Sequence, residues 1–103
     1  MTEVEYKSEL DILVVEEEDY EDLERNVELD GFVLDLDSDG GFLGLEIVDV
    51  SQKVPLSREE LERIEDAEVR FESGEDYIAV QIVLTIDSSK NVISSRYPAG
   101  AIA

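Results

Sequence analysis

Side-chain catalysis needs a nucleophile with its base, a tuned acid and base pair, or a metal held by suitable ligands. This sequence contains no histidine and no cysteine, so carboxylates, Ser, Tyr and Lys are the groups left. Zinc sites built on thiolate or imidazole are thereby excluded, and no disulfide framework can form. The densest chemistry-bearing stretch places Asp35, Asp37, Asp39, Gly40 and Glu46 in the spacing D-x-D-x-D-G-x5-E of a calcium loop. In an EF-hand the final Glu is brought round to the ion by the exiting helix. Here both flanks alternate like strands, which carries Glu46 away from the Asp triplet. The expectation is therefore no metal site, with Asp35, Asp37, Asp39 and Glu46 retained as the alternative. Asp35 and Asp37 could serve glycoside chemistry only across a cleft that gave them different environments, and no long loops are present to build one. No catalytic residue and no cofactor is expected.

The elements that would position these groups follow from hydrophobic periodicity. Phe32, Leu34 and Leu36 alternate with Val33, Asp35 and Asp37, and Leu43, Leu45 and Ile47 alternate with Gly44, Glu46 and Val48. A period of two is that of a half-buried strand. Ser38-Asp39-Gly40-Gly41 supplies the small residues a tight reversal needs, so Asp30 to Ser51 reads as a β-hairpin around which the chain is organised. Upstream, Leu10, Ile12 and Val14 alternate with Asp11, Leu13 and Val15, predicting one central strand that starts near Val4 or Tyr6. Glu16 to Asn26 fits a short helix, with Tyr20, Leu23 and Val27 at helical spacing, as well as it fits a solvated acidic loop. Val27 and Leu29 then run into Asp30-Gly31, a dipeptide favoured in hairpins.

The run from Asp35 to Ser51, taken with Tyr6, the apolar strand Leu10 to Val15 and the approach Glu28 to Val33, resembles the small prokaryotic family called domain of unknown function 2283. The resemblance covers about the first half of the chain. It departs at Leu45, where the family has Ile, and at Lys7-Ser8, where the family has Asp-Pro. It implies a small β-rich fold and brings no assigned activity, so no catalytic residue is carried over from it.

Beyond Ser51 the period changes. Ser57 and Glu60 form a capping box, Leu56 and Leu61 are placed for a hydrophobic staple, and Leu61, Ile64 and Ala67 make an apolar stripe. These signals predict a helix over Arg58 to Asp66. Arg58/Glu62 and Glu59/Arg63 are spaced as exposed pairs along it, and Arg58 with Arg63 could alternatively hold an anion. Val69 and Phe71 open another strand, Glu72 to Asp76 turn it, and Ile78, Val80, Ile82, Leu84 and Ile86 line one face of the longest strand. Its other face, with Tyr77, Ala79, Gln81 and Val83, is apolar enough to need cover from the helix or from another subunit. Asp87 to Ala103 is Ser-rich without clear periodicity and reads as a mobile tail. The expected architecture is α+β, an antiparallel meander of about five or six strands packed with one short helix. One domain would span residues 1–87, followed by the tail over 88–103.

The 28 acidic residues face eight basic ones, a net charge of −20. Small domains typically carry a magnitude of about 2–8. Nucleic acid is excluded as a partner, because its phosphates would meet a surface of their own sign. Disorder fits poorly with the 43% hydrophobic content and with acids spread between apolar strand positions, which leaves mimicry of nucleic-acid charge as the alternative to salt adaptation. With Lys reduced to Lys7, Lys53 and Lys90, the composition fits a cytoplasm of molar salt, where the Debye length shrinks to about 3 Å. The first ten residues, MTEVEYKSEL, have neither the basic nor the apolar region of a signal peptide, and no apolar run approaches the ~20 residues that span a bilayer. A cytoplasmic protein without a membrane partner is expected. Its function reads as a non-catalytic protein-interaction module, antitoxin-like in the sharper version. It would pair with a basic protein, or with itself as a homodimer through Tyr77, Ala79, Gln81 and Val83. The alternative is a cation (Ca2+)-binding domain using the Asp35 to Glu46 loop.

Overall fold

Alternation of apolar and polar residues decides most of the architecture. The computed structural model describes residues 2–18, 23–29, 31–39 and 41–98. Over these residues the chain forms β1 (Thr2–Lys7), β2 (Ile12–Glu17), β3 (Leu23–Leu29), β4 (Phe32–Asp37), β5 (Phe42–Val48), α1 (Val50–Lys53), α2 (Arg58–Leu61), β6 (Ile64–Ser73), β7 (Tyr77–Ile86) and β8 (Ser89–Pro98). Two antiparallel sheets result, one in the order β1-β2-β5-β4-β3 and one in the order β6-β7-β8. The link between them holds both helices, each a single turn, and β1 lies beside β6.

One core fills the space between the inner faces. Leu13, Val15, Leu34, Leu36, Leu45 and Ile47 enter it from the larger sheet, and Ala67, Ile78, Val80, Ile82, Leu84 and Ile86 from the smaller. Val50, Val54, Leu56 and Leu61 close it from the link. Along β7 burial alternates without a break, so the period of two in the sequence maps directly onto an inner and an outer face. No helix among the described residues is long and apolar enough to cross a membrane.

The α+β expectation is overturned: the protein is mostly β, with eight strands among the described residues and two helices of four residues each. Three local decisions account for the difference. The capping box of Ser57 and Glu60 forms as expected and starts α2, but the helix stops at Leu61 instead of continuing to Asp66. Ile64 and Ala67, which share a face at helical spacing, also share one in a strand when a bulge intervenes, and a register shift lies between Ile64 and Asp66. Pairing of Ile64 with Ile86 then extends β6 along the whole of β7, and these long-range contacts outweigh the helical spacing.

The single first strand divides into β1 and β2 because Ser8 to Asp11 turn the chain. Leu10 is 62% exposed there and Asp11 takes a left-handed φ of 54°. Glu16–Glu17 and Leu23–Asn26 lie in strands rather than in a short helix; residues 19–22 of that expectation fall outside the described residues. Of the segment expected as a mobile tail, Ser89–Pro98 form β8, paired to β7 from Ile86↔Ser89 to Tyr77↔Pro98, and residues 99–103 fall outside the described residues. Asp87 and Ser88 both have positive φ, as a two-residue hairpin turn of the favoured type requires, and neither is the Gly that usually announces it. β7 is therefore the central strand of its sheet and not an edge.

Candidate functional site

The calcium-loop residues sit on the β4–β5 hairpin, which the sequence predicts. Asp37 uses its carboxylate on the turn itself: Oδ1 accepts from the backbone N–H of Asp39 at 2.9 Å and of Gly41 at 2.7 Å. Asp35 lies on the outer face of β4 opposite Gly44, and its Oδ1 accepts from the Asn26 amide. Glu46 faces outward between Val14 and Val33. It is four residues beyond Phe42, roughly 13 Å along the strand from the hairpin tip. Gly40 falls outside the described residues. Among the described residues, no three carboxylates come together as a metal-binding group.

Arg58 and Arg63 do not converge on a common anion either. Arg63 Nε donates to Asp87 Oδ2 at 3.1 Å and its Nη1 to the carbonyl of Glu59 at 3.2 Å, while Arg58 reaches to 3.8 Å from Asp11 Oδ2.

Asp11 is the residue that sequence reasoning passed over. It is 3% exposed, and its carboxylate accepts from Tyr6 Oη at 2.8 Å, Ser51 Oγ at 2.6 Å and Ser51 N at 3.2 Å. Its own carbonyl accepts from Val50 N at 3.0 Å. The N-cap residue of α1, Asp49, makes no side-chain cap bond, so Asp11 supplies the cap from the first hairpin. Burial pushes the Asp11 carboxyl up, but the hydrogen bonds from Ser51 and Tyr6 outweigh it and hold the group below the usual carboxylate range. The same contact works the other way on Tyr6, whose hydroxyl is pushed up to about 12, first by burial and then by Asp11. With all donors satisfied inside the protein, the cluster is a tie between the sheet and the link. A signal was present: Asp11 has the parity of Leu13 and Val15, the inward face.

The outer face of the small sheet is different in kind. Residues Tyr77, Ala79, Gln81 and Val83 lie along its midline, half-buried between the flanking strands, and among the described residues no helix lies over them. The ladder sets them in cross-strand rows: Glu72–Ala79–Arg96, Arg70–Gln81–Ser94, Glu68–Val83–Val92 and Asp66–Thr85–Lys90. Three acids and three bases share this face, in a chain with 28 of one and eight of the other. The acids Asp66, Glu68 and Glu72 are on β6, whereas Lys90 and Arg96 are on β8. Arg70 is engaged by Glu68 at 3.3 Å. Tyr77 Oη donates to Glu72 at 2.9 Å, which raises the tyrosine's pKa, and the Arg96 guanidinium stands 4.1 Å from the centre of the Tyr77 ring. A shallow depression of about 600 Å³ lies between Arg70, Ala79, Gln81, Ser94 and Arg96, and Val92 beside it is 58% exposed.

The outer face of the larger sheet shows the contrast. Its two long rows, Glu3–Glu16–Gly44–Asp35–Asn26 and Glu5–Val14–Glu46–Val33–Glu28, hold six carboxylates and no base.

Comparison with known proteins returns no matching family model and no matching solved structure. A protein of Methanosarcina mazei named "putative hypoxanthine phosphoribosyltransferase" is 28% identical over 68 residues, covering 66% of this chain and 55% of that protein. The chain thus spans little more than half the length of the curated relative it matches.

Proposed function

We propose that this protein is a non-catalytic interaction module of a salt-rich cytoplasm, and that it docks its partner on the outer face of the β6-β7-β8 sheet. The observation that carries the reading is the local charge balance there, three acids against three bases around an apolar midline, in a chain of net charge −20. Interfaces deplete unpaired charge at their centre and keep polar groups at the rim, and this face has that composition. The resemblance to domain of unknown function 2283 is compatible with it and assigns no activity. The rest of the surface stays hydrated and repels other acidic proteins unless salt screens it.

The name of the M. mazei relative supports a second reading, transfer of a phosphoribosyl group to hypoxanthine. Such a reaction must hold a phosphorylated, anionic sugar, and of the five arginines the described contacts commit Arg58, Arg63 and Arg70 to carboxylates. The docking reading is the better supported. Its test is a pull-down in molar salt using wild type and Val83→Glu as baits, with mass-spectrometric identification. A defined partner retained by wild type and lost with Val83→Glu is expected. A partner retained equally by both, or turnover of hypoxanthine with a phosphoribosyl donor by the purified protein, overturns the reading.

A further inference from the structure

We infer that the occupant of this face is a second copy of the same chain, related by a two-fold axis that runs along the strands. The inference rests on the docking reading above and specifies its partner. Two sheets packed face to face keep their strand directions within about 30° of one another, which leaves two ways to place an in-plane two-fold axis. An axis across the strands, centred on the face, would lay β6 over the partner's β6 and β8 over the partner's β8, setting Glu72 against Asp66 and Arg96 against Lys90, with Arg70 opposite Glu68 as its one attractive pairing. An axis along the strands lays β6 over the partner's β8. Each row then meets its own reversed copy: Glu72 faces Arg96, Asp66 faces Lys90, and each pair occurs twice. Ala79, Val83 and the exposed Val92 fill the centre between them. Arg70 and Glu68, whose rows would give them Ser94 and Val92 as partners, are already paired with each other in the chain. The charge pattern of the face is thus self-complementary about one axis and on balance self-repelling about the other.

The size of the contact sets how the dimer will behave. Three strands about 4.8 Å apart and ten residues long present roughly 500 Å² per copy, on the order of 1,000 Å² for the pair. That is the low end of specific interfaces, so association is concentration-dependent and reversible.

The experiment is light scattering after size exclusion at ~100 μM protein in ~1 M KCl, where the net repulsion is screened but pairs enclosed between sheets are not. Wild type should have twice the 11.6 kDa chain mass. Arg96→Glu and Glu72→Arg each put like charges opposite one another at two places, so each alone should be monomeric, with the dissociation constant raised more than ~100-fold. An equimolar mixture of the two restores both pairs and should return the dimer mass. Circular dichroism of each variant establishes that it is folded, and Arg96→Lys, which keeps the charge, should stay dimeric. A mixture that remains monomeric overturns the inference, as does a Glu72→Arg variant that dimerises more tightly, since that selects the axis across the strands. A monomeric wild type removes the second copy as occupant while leaving the docking face to its pull-down test. A dimer that survives Val83→Glu moves the contact off this face and overturns the inference, while the docking face again rests on its pull-down test.

Discussion

Replacing Asp11 by Asn tests whether one buried carboxylate ties the first hairpin to the link between the sheets. The carboxylate accepts three hydrogen bonds, from Tyr6 Oη, Ser51 Oγ and Ser51 N. Bonds to a charged acceptor contribute about 1.5–3 kcal/mol each, but they are not additive within one cluster. Asn keeps one acceptor oxygen and tolerates the left-handed backbone at this position, so the expected loss is about 2–3 kcal/mol. Asp11→Ala loses every acceptor, and with them the local hydrogen bonding that lets Asp occupy a positive φ more readily than Ala, for about 4 kcal/mol in all. Urea unfolding followed by circular dichroism in ~1 M KCl reads the difference, since a slope of roughly 1–1.5 kcal/mol/M turns the Asn variant's loss into a midpoint drop of about 2 M. The pH dependence is the sharper part. Asp11 is held below the ordinary carboxylate range, so its contribution is present above the unfolded value near 3.9 and is lost as pH falls through the folded value. The gap between wild type and Asp11→Asn should be constant above about pH 5 and shrink below about pH 4. A variant within ~0.5 kcal/mol of wild type at neutral pH would refute the tie, because a merely surface substitution does no more. A gap that stays constant on acidification would show that the charge of Asp11 plays no part in it.

Further outcomes follow from the same structure. Far-UV circular dichroism should show the strands forming as KCl is raised to molar concentration, and full structure at ~10 mM salt, where the Debye length is about 30 Å, would sink the salt-adapted reading. Asp37→Asn should leave calcium calorimetry unchanged, because Asp37 closes a turn; a one-to-one micromolar signal that the substitution abolishes would instead favour the cation-binding alternative. In an ultraviolet titration Tyr6 should ionise last, near 12, and Tyr6→Phe should remove that late step. Because the Tyr6 value is raised, its contribution to stability is present below the ordinary value near 10 and is lost as pH climbs through the folded value, so the variant's deficit should vanish only in strong alkali. Ser57→Ala should cost about 1 kcal/mol in chemical unfolding, since it removes half of the capping box that starts α2; no change would mean the box is ornamental.

What was legible in the sequence is what periodicity alone decides. Phe32, Leu34, Leu36 and the alternate positions of β7 are buried where their parity says, and the Asp37 to Gly41 turn lies where the small residues cluster. What was hidden is what depends on a partner strand. β8 carries Asn91, Ile93, Ser95 and Tyr97 on its inner face, a pattern too polar to announce a strand. It is held by the cross-strand neighbours Leu84, Ile82, Val80 and Ile78. The extension of β6 through Ile64 is likewise invisible until Ile86 is known to lie opposite. The candidate interface suffered most, because its basic half is β8. With residues 88–103 read as a tail, Tyr77, Ala79, Gln81 and Val83 stood as an apolar stripe without the charges that surround it.

Those charges give the surface a direction. On the larger sheet Glu3 stands directly across from Glu16, and Glu5 and Glu28 occupy the two ends of the row that Glu46 centres, so neighbouring carboxylates repel within the fold itself. Salt weakens that repulsion and never reverses its sign, which means no concentration of salt makes the face attractive to an acidic protein. On the smaller sheet the acids of β6 have bases two strands away, and screening there removes only the long-range opposition of the rest of the molecule. Raising salt therefore separates the two faces: it leaves the larger sheet indifferent to a second acidic chain and lets the smaller sheet meet one. An acidic protein in a salt-rich medium can in this way be soluble on nearly all of its surface and still associate through one face, because the distribution of its few bases, three of eight on a single sheet face, does the selecting.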